Sequence, residues 1–245
     1  MNILTENMDP YRNPETYDEL HKDYNADLPL LLEWAEKQGG PVVDLACGTG
    51  RATIPIAEKG IEVTGIDLNT GMLERAKQKT AGTLLPVIWS LQDCSNFTVD
   101  TVSPFICMTG NSFQHFLTNE AQDRLLRSVH RALADGGVFI FGTRFPVHED
   151  LAPEQTEEYE EEEGRRVRYE ERYDAGRQLL HCRTIRTDED SRAQEEDIML
   201  RYTYPQEMER LLSGHGFKIE HRYGTWEKEP LDADSKEMIY VCRKA

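Results

Sequence analysis

Up to Gly142 the apolar residues fall into short solid runs separated by stretches of helical spacing. The runs are Val42-Val43 leading into Asp44, then Ile61–Ile66, Leu84–Leu91, Phe105–Thr109 and Val138–Gly142. Short apolar runs without alternation mark strands buried on both faces, as in a parallel sheet. Between them lie patterns of period 3.6. One spans Ala52–Lys59. A second opens at Asn69 or Thr70 and carries Met72, Leu73 and Ala76. A third spans Glu120–Leu133, with Thr118 or Asn119 as N-cap and Gly136-Gly137 behind it. Strand and helix in alternation predict an α/β domain. Ahead of it Tyr11, Tyr17, Leu20 and Tyr24 recur at roughly helical spacing, and Leu28–Trp34 continues as an apolar helix that stops at Gly39-Gly40.

Beyond Pro146 the period changes. An acidic run around Glu157–Glu163 reads as a solvated segment or an exposed edge. From Arg165 to Thr203 the period is two. Val167, Tyr169 and Glu171 alternate with Arg166, Arg168 and Glu170, and a turn follows at Asp174-Ala175-Gly176. Leu180, Cys182, Thr184 and Arg186, then Ile198, Leu200 and Tyr202, continue the alternation. This predicts a three- or four-stranded antiparallel sheet inserted into the α/β order. Its arginines, among them Arg165, Arg166, Arg168, Arg172, Arg177, Arg183 and Arg186, are interleaved with acids, which predicts cross-strand ion pairs on a wet face. Pro205–Leu212 is a helix stopped at Gly214, and Phe217–Tyr223 and Met238–Cys242 alternate as strands. The chain thus divides into residues 1–40, a core of 41–150 with 204–245, and an insert of 151–203.

Composition narrows the partners. A net charge of −17 over 245 residues argues against nucleic acid and anionic membranes, since neutralising phosphates needs a basic surface. The five cysteines are scattered with no CxxC pair, which argues against structural zinc and fits reduced thiols in a cytoplasm. Met1–Arg12 has no apolar stretch of signal-peptide type, and no run has the length of a membrane span. No His/Asp/Glu cluster has metal-ligand spacing, so no metal is expected.

The chemistry concentrates in Asp44-Leu45-Ala46-Cys47-Gly48-Thr49-Gly50, between the first strand and the first helix of the α/β unit. Glycines there permit positive φ and close approach of a ligand to the main chain, and the helix behind them aims free N–H groups into the loop. The next strand ends in Asp67, placed to accept from ribose hydroxyls. The loop lacks Gly-Lys-Ser/Thr, so it is no Walker loop. Thr53 stands where a dinucleotide loop needs its third glycine. Asp44 suits a cationic amine better than a pyrophosphate. Adenosine, an amino-acid tail and a sulfonium together describe S-adenosylmethionine.

Asp-x-Ala-x-Gly-x-Gly followed by Val63-Thr64-Gly65-Ile66-Asp67-Leu68-Asn69 resembles the first two motifs of class I S-adenosylmethionine-dependent methyltransferases, in particular bacterial small-molecule-type methyltransferase domains. The likeness is strongest over residues 40–145; Ala46 replaces the family's first loop glycine. It implies a Rossmann-like, doubly wound, mostly parallel seven-stranded sheet with an antiparallel last strand, carrying the small antiparallel insert. It implies a cofactor site of Asp44, Ala46, Gly48, Gly50, Asp67, Leu68, Asp93, Cys94, Thr109 and Asn111, with Asp93 and the following N–H at the adenine. It also implies an N-terminal helical lid over residues 1–40, making Tyr11 and Tyr17, with Ser112, candidates for shielding the methyl group. His115, on the loop after the fourth strand, is the candidate general base.

Three functions fit these residues: transfer of a methyl group to a small molecule, transfer to RNA or protein, and binding of S-adenosylmethionine without turnover. The first is the reading carried forward. It comes with a cytoplasmic location, a small-molecule acceptor and a homodimer as the candidate assembly. The inserted sheet is expected to cover the acceptor side.

Overall fold

A computed structural model describes residues 7–147, 151–160, 165–188 and 193–245. The solid apolar runs become β1 (Val42–Leu45), β2 (Val63–Asp67), β3 (Val87–Leu91), β4 (Ser103–Met108) and β5 (Leu133–Arg144). With β10 (Phe217–Tyr223) and β11 (Glu237–Lys244) they form a seven-stranded sheet in the order β10-β11-β5-β4-β1-β2-β3. The five strands from β5 to β3 run parallel, whereas β11 is antiparallel to both β5 and β10.

Alternate side chains of the central strands enter two different cores. Ile106, Met108, Phe139 and Phe141 meet α5 (Asn119–Ala132) through Leu125, Leu126 and Val129, and α6 (Pro205–Gly214) through Met208 and Leu212. Phe105, Cys107, Val138 and Ile140 meet α2 (Leu28–Gln38) through Leu30, Leu31 and Trp34, and α3 (Thr53–Glu58) through Ile56 and Ala57. This double burial is why the strands read as solid apolar runs. It also places α2 in the core. The lid drawn over residues 1–40 therefore narrows to the stretch ahead of α2, which holds a short turn at Asp9–Tyr11 and α1 (Pro14–His21). The N-caps of α4 (Thr70–Thr80) and α5 fall where the sequence puts them: Asn69 accepts from the Met72 N–H and Thr118 from the Ala121 N–H.

β5 extends past the sequence reading at both ends. β5 starts at Leu133, directly after α5, where Leu133 pairs with Ser103. It runs on to Arg144, whose ladder partner is Glu237. The insert is a four-stranded antiparallel sheet of β6 (Glu154–Glu160), β7 (Arg166–Asp174), β8 (Leu179–Thr187) and β9 (Ala193–Arg201). The described part of the acidic run is its exposed edge strand; Glu161–Glu163 lie outside the described residues. Cross-strand pairs form as expected where Arg172 meets Glu154 at 3.1 Å across β6 and β7 and Arg186 meets Glu196 at 2.6 Å across β8 and β9, while Arg168 meets Glu170 at 2.8 Å within β7.

Candidate active site

The carboxyl ends of β1, β2 and β4 meet under the N-terminal arm, the crevice where open α/β sheets take ligands. The loop after β1 holds three left-handed residues, Ala46 (φ 55°), Gly48 (φ 55°) and Gly50 (φ 87°). Ala46 stands at the family's glycine position and keeps the glycine conformation, a strain of about 1–3 kcal/mol of the kind stored at ligand sites. Asp67 braces the loop. One carboxylate oxygen accepts from the Gly48 N–H at 2.8 Å and the other from the Asn69 N–H at 2.8 Å. Each oxygen keeps a second lone pair for a diol. Burial raises the Asp67 pKa, opposed by the N–H groups of Asn69, Gly48 and Leu68.

Ten of the expected site residues line one cavity: Tyr11, Tyr17, Ala46, Gly48, Asp67, Leu68, Asp93, Cys94, Ser112 and His115. Asn7, Asn69 and Met72 join them. Four expected residues do not line it. Asp44 is buried behind the loop, where its carboxylate accepts from Thr53 Oγ1 at 2.6 Å, and burial raises its pKa to about 6. It braces the helix start, so it has no face to offer a ligand amine. Gly50 faces inward: a Cβ there would stand 2.6 Å from the Trp89 ring. A side chain at this position would therefore run into the packing around Trp89. Thr109 is taken up by Arg51, which donates to its Oγ1 at 3.1 Å while forking onto buried Asp27 at 2.6 and 2.5 Å. Asn111 lines a second cavity instead.

The N-terminal arm is tied down at both ends. In α1, Asp18 accepts from Thr49 Oγ1 at 2.5 Å, Arg75 Nε at 2.9 Å and Lys79 Nζ at 2.8 Å. Burial pushes its pKa up, but Lys79, Thr49 and Arg75 outweigh that and hold it below its ordinary value. At the other end buried Asn7 pairs with the backbone of β9, its Nδ2 donating to Met199 O at 2.8 Å and its Oδ1 accepting from Met199 N at 2.6 Å. That pairing fixes which end of the amide is which. The second Nδ2 hydrogen then points at His115 Nδ1, 2.9 Å away. Nδ1 is therefore an acceptor, the ring proton sits on Nε2, and Nε2 donates to the Tyr11 hydroxyl at 3.0 Å.

This chain revises the role of His115. Both ring nitrogens are engaged, and burial lowers its pKa to about 4, so the ring stands neutral with no lone pair open to the cavity. It orients Tyr11. Having accepted from the imidazole, the Tyr11 oxygen keeps a lone pair and a rotatable hydrogen for the cavity. Burial, then Tyr17 and Asp67, push the Tyr11 pKa well above the ordinary phenol range, so it stays protonated. Asn7, Asp18 and Arg51 were not singled out in the sequence, and Asn69 only as a helix cap. Each is an isolated polar residue whose partner is remote along the chain.

The second cavity, about 1130 Å³, opens between the arm and β8–β9 and shares Tyr11, Tyr17, Gly110 and His115 with the first. Its volume suffices for a small molecule, since ligand pockets run to about 300–1,000 Å³. Among the described residues no helix is long and apolar enough to cross a membrane.

Residues 42–137 match the model of a methyltransferase domain family. The chain is 35% identical over 129 residues to methyltransferase YqeM of Bacillus subtilis (strain 168), spanning about half of either protein (51%). It is 25% identical over 223 residues to the cypemycin N-terminal methyltransferase of a Streptomyces species, covering 87% of this chain and 89% of that one. Its fold superimposes on the CcbJ methyltransferase of Streptomyces caelestis with a TM-score of 0.83 at 22% identity, over 93% of this chain and 95% of that one.

Residues 42–137 carry a methyltransferase domain of the class I S-adenosylmethionine-dependent kind.

The residues present fit that cofactor. The positive-φ loop brings backbone to the cavity wall, and at Gly48 a Cβ would meet only Met72, at 3.4 Å. Asp67 has lone pairs for a ribose, and Leu68, Asp93 and Cys94 line the same cavity beyond it. Asp93 itself accepts from the Ser95 N–H at 2.7 Å, which fixes its carboxylate at the cavity rim.

Proposed function

We propose that this methyltransferase modifies an amine nitrogen of a small molecule held in the cavity between the N-terminal arm and β8–β9. The observation that carries the reading is the Asn7–His115–Tyr11 chain at the junction of the two cavities. A hydroxyl acceptor needs a base to strip its proton. The imidazole at the junction has no free lone pair and resists protonation, so it is a poor base. A neutral amine already carries its lone pair and needs only orientation. The Tyr11 oxygen can accept from an amine N–H and aim the nitrogen. Positioning of this kind accounts for much of the rate in such displacements. A sequence relative named as the cypemycin N-terminal methyltransferase agrees with an amine acceptor.

The cofactor, when bound, supplies the electrophilic methyl group on a sulfonium. Asp67 would hold its ribose, Leu68, Asp93 and Cys94 its base, and Ala46 and Gly48 its amino-acid tail through their backbone. Tyr11 and Tyr17 close the cavity against water from the arm side. The RNA reading rested on an arginine stripe, and Arg168, Arg172, Arg183 and Arg186 of that stripe are engaged with acids of the insert.

The test incubates the full chain with methyl-labelled S-adenosylmethionine and metabolite fractions sorted into primary amines, secondary amines and amine-free alcohols. Labelled product is expected from an amine fraction and none from the alcohols. Label confined to the alcohols, or to added RNA, would refute the proposal.

A further inference from the structure

The arginines around the second cavity differ in what they already touch. Arg12 is paired with Asp9 at 2.6 Å, Arg51 with Asp27 and Arg186 with Glu196 at 2.6 Å. Arg144 is different. It ends β5, at the strand end where open sheets bind ligands, and lines the cavity near Asn111. Protein surrounds it, yet it is exposed, because it looks into open cavity. The Tyr202 phenol hydrogen-bonds its guanidinium. Among the described residues no carboxylate lies within ion-pair distance of it.

Two acids stand nearby. Glu171 accepts from Tyr169 Oη at 2.6 Å and from the Cys182 thiol. Glu237 is the ladder partner of Arg144, but its carboxylate stays beyond ion-pair reach. The guanidinium therefore keeps donors for a ligand. Its charge is also felt at Tyr11, where it lowers the pKa against the larger effect of burial. One small molecule can reach both residues within the same cavity.

We propose that Arg144 is an oxyanion-binding subsite, so that the methyl acceptor carries an amine at the Tyr11 end and a carboxylate or phosphate at the Arg144 end. A guanidinium forks onto either oxyanion with two parallel hydrogen bonds, which fixes orientation as well as affinity. In a chain of net charge −17, an anionic acceptor needs such a local cation. The subsite rests on the amine-acceptor reading above and narrows it to amines that also carry an anionic group.

The experiment measures binding by calorimetry to the full chain saturated with S-adenosylhomocysteine. The probes are matched pairs: phenylalanine against phenylalaninamide for a carboxylate, and glucosamine 6-phosphate against glucosamine for a phosphate. One anionic member is expected to bind about tenfold to a hundredfold more tightly than its neutral partner, the range for a charge-assisted fork. The pair that discriminates identifies the oxyanion. Arg144→Gln should erase that preference without changing S-adenosylhomocysteine affinity, and Arg144→Lys should keep part of it. Glu237→Gln, by removing a nearby negative charge, should increase it. Equal binding within both pairs, or a preference that survives Arg144→Gln, overturns the subsite. The preference is read from binding, so it is scored whether or not methyl transfer occurs. Turnover of an anionic amine that is indifferent to Arg144→Gln would remove the subsite and leave the amine reading standing.

Discussion

Lowering the pH from about 7 to about 4 loads the Asn7–His115–Tyr11 chain in a way that can be measured. In the fold the His115 ring is neutral, and burial lowers its pKa from the ordinary 6.5 to about 4. In the unfolded chain the same ring takes up a proton near pH 6.5. Across that window the unfolded state binds more protons, so stability falls as the pH falls. A gap of about 2.5 pH units at about 1.36 kcal/mol each gives about 3 kcal/mol. Asp44 acts in the opposite sense. Its folded pKa is raised from 3.8 to about 6, so its contribution is full below about pH 4 and is lost as the pH rises through about 6. In the parent protein the two effects nearly cancel, and a variant is needed to separate them. Urea unfolding of the parent and of His115→Gln at pH steps between about 4 and 7 makes the separation. The variant is expected to lose about 3 kcal/mol less than the parent on acidification. Nitrogen-15 spectra of histidine-labelled protein should also show His115 neutral with its proton on Nε2. Parallel stability curves, or a proton on Nδ1, would refute the hydrogen-bond chain and with it the orientation assigned to Tyr11.

Asp44→Asn should shift the same curves the other way, gaining about 3 kcal/mol relative to the parent between about pH 4 and pH 8; no gain would mean that Asp44 titrates normally. Asp67→Ala should weaken S-adenosylhomocysteine binding about tenfold to a hundredfold in calorimetry, and a loss under about twofold would reduce Asp67 to a loop brace. Gly50→Ala should destabilise by about 1–3 kcal/mol more than Gly60→Ala. Both residues have positive φ, but only at Gly50 does a Cβ meet a ring, Trp89 at 2.6 Å. Equal costs in urea unfolding would show that the ring yields freely.

The doubly wound sheet was legible because its determinants are local. Strands buried on both faces read as solid apolar runs, amphipathic helices read at 3.6, and Thr118 and Asn69 announce their caps. The ligand loop was legible for the same reason: Ala46 and Gly48 need a backbone conformation that few residues tolerate, and Asp67 follows at the next strand end. Period two gave the insert, and alternating charge gave its ion pairs.

Which face each polar group presents was not legible. Asp44 and Asp67 both end apolar strands of one βαβ unit, yet one is buried under Thr53 and the other reaches the cavity. Thr109 stands just past the end of β4, and its hydroxyl belongs to Arg51. α2 looked like part of a lid until its apolar face was seen to fill a gap beside α3. The sequence by itself determined the fold class, the glycine-bearing loop and the cofactor family, because φ preference and hydrophobic period act between neighbours along the chain. Tertiary structure alone decided that Asn7 meets Met199 and His115, that His115 is held neutral, and that Arg144 faces the cavity with no carboxylate partner among the described residues. Hydrogen bonds and desolvation depend on what lies within a few ångströms, and folding brings those neighbours from far along the chain.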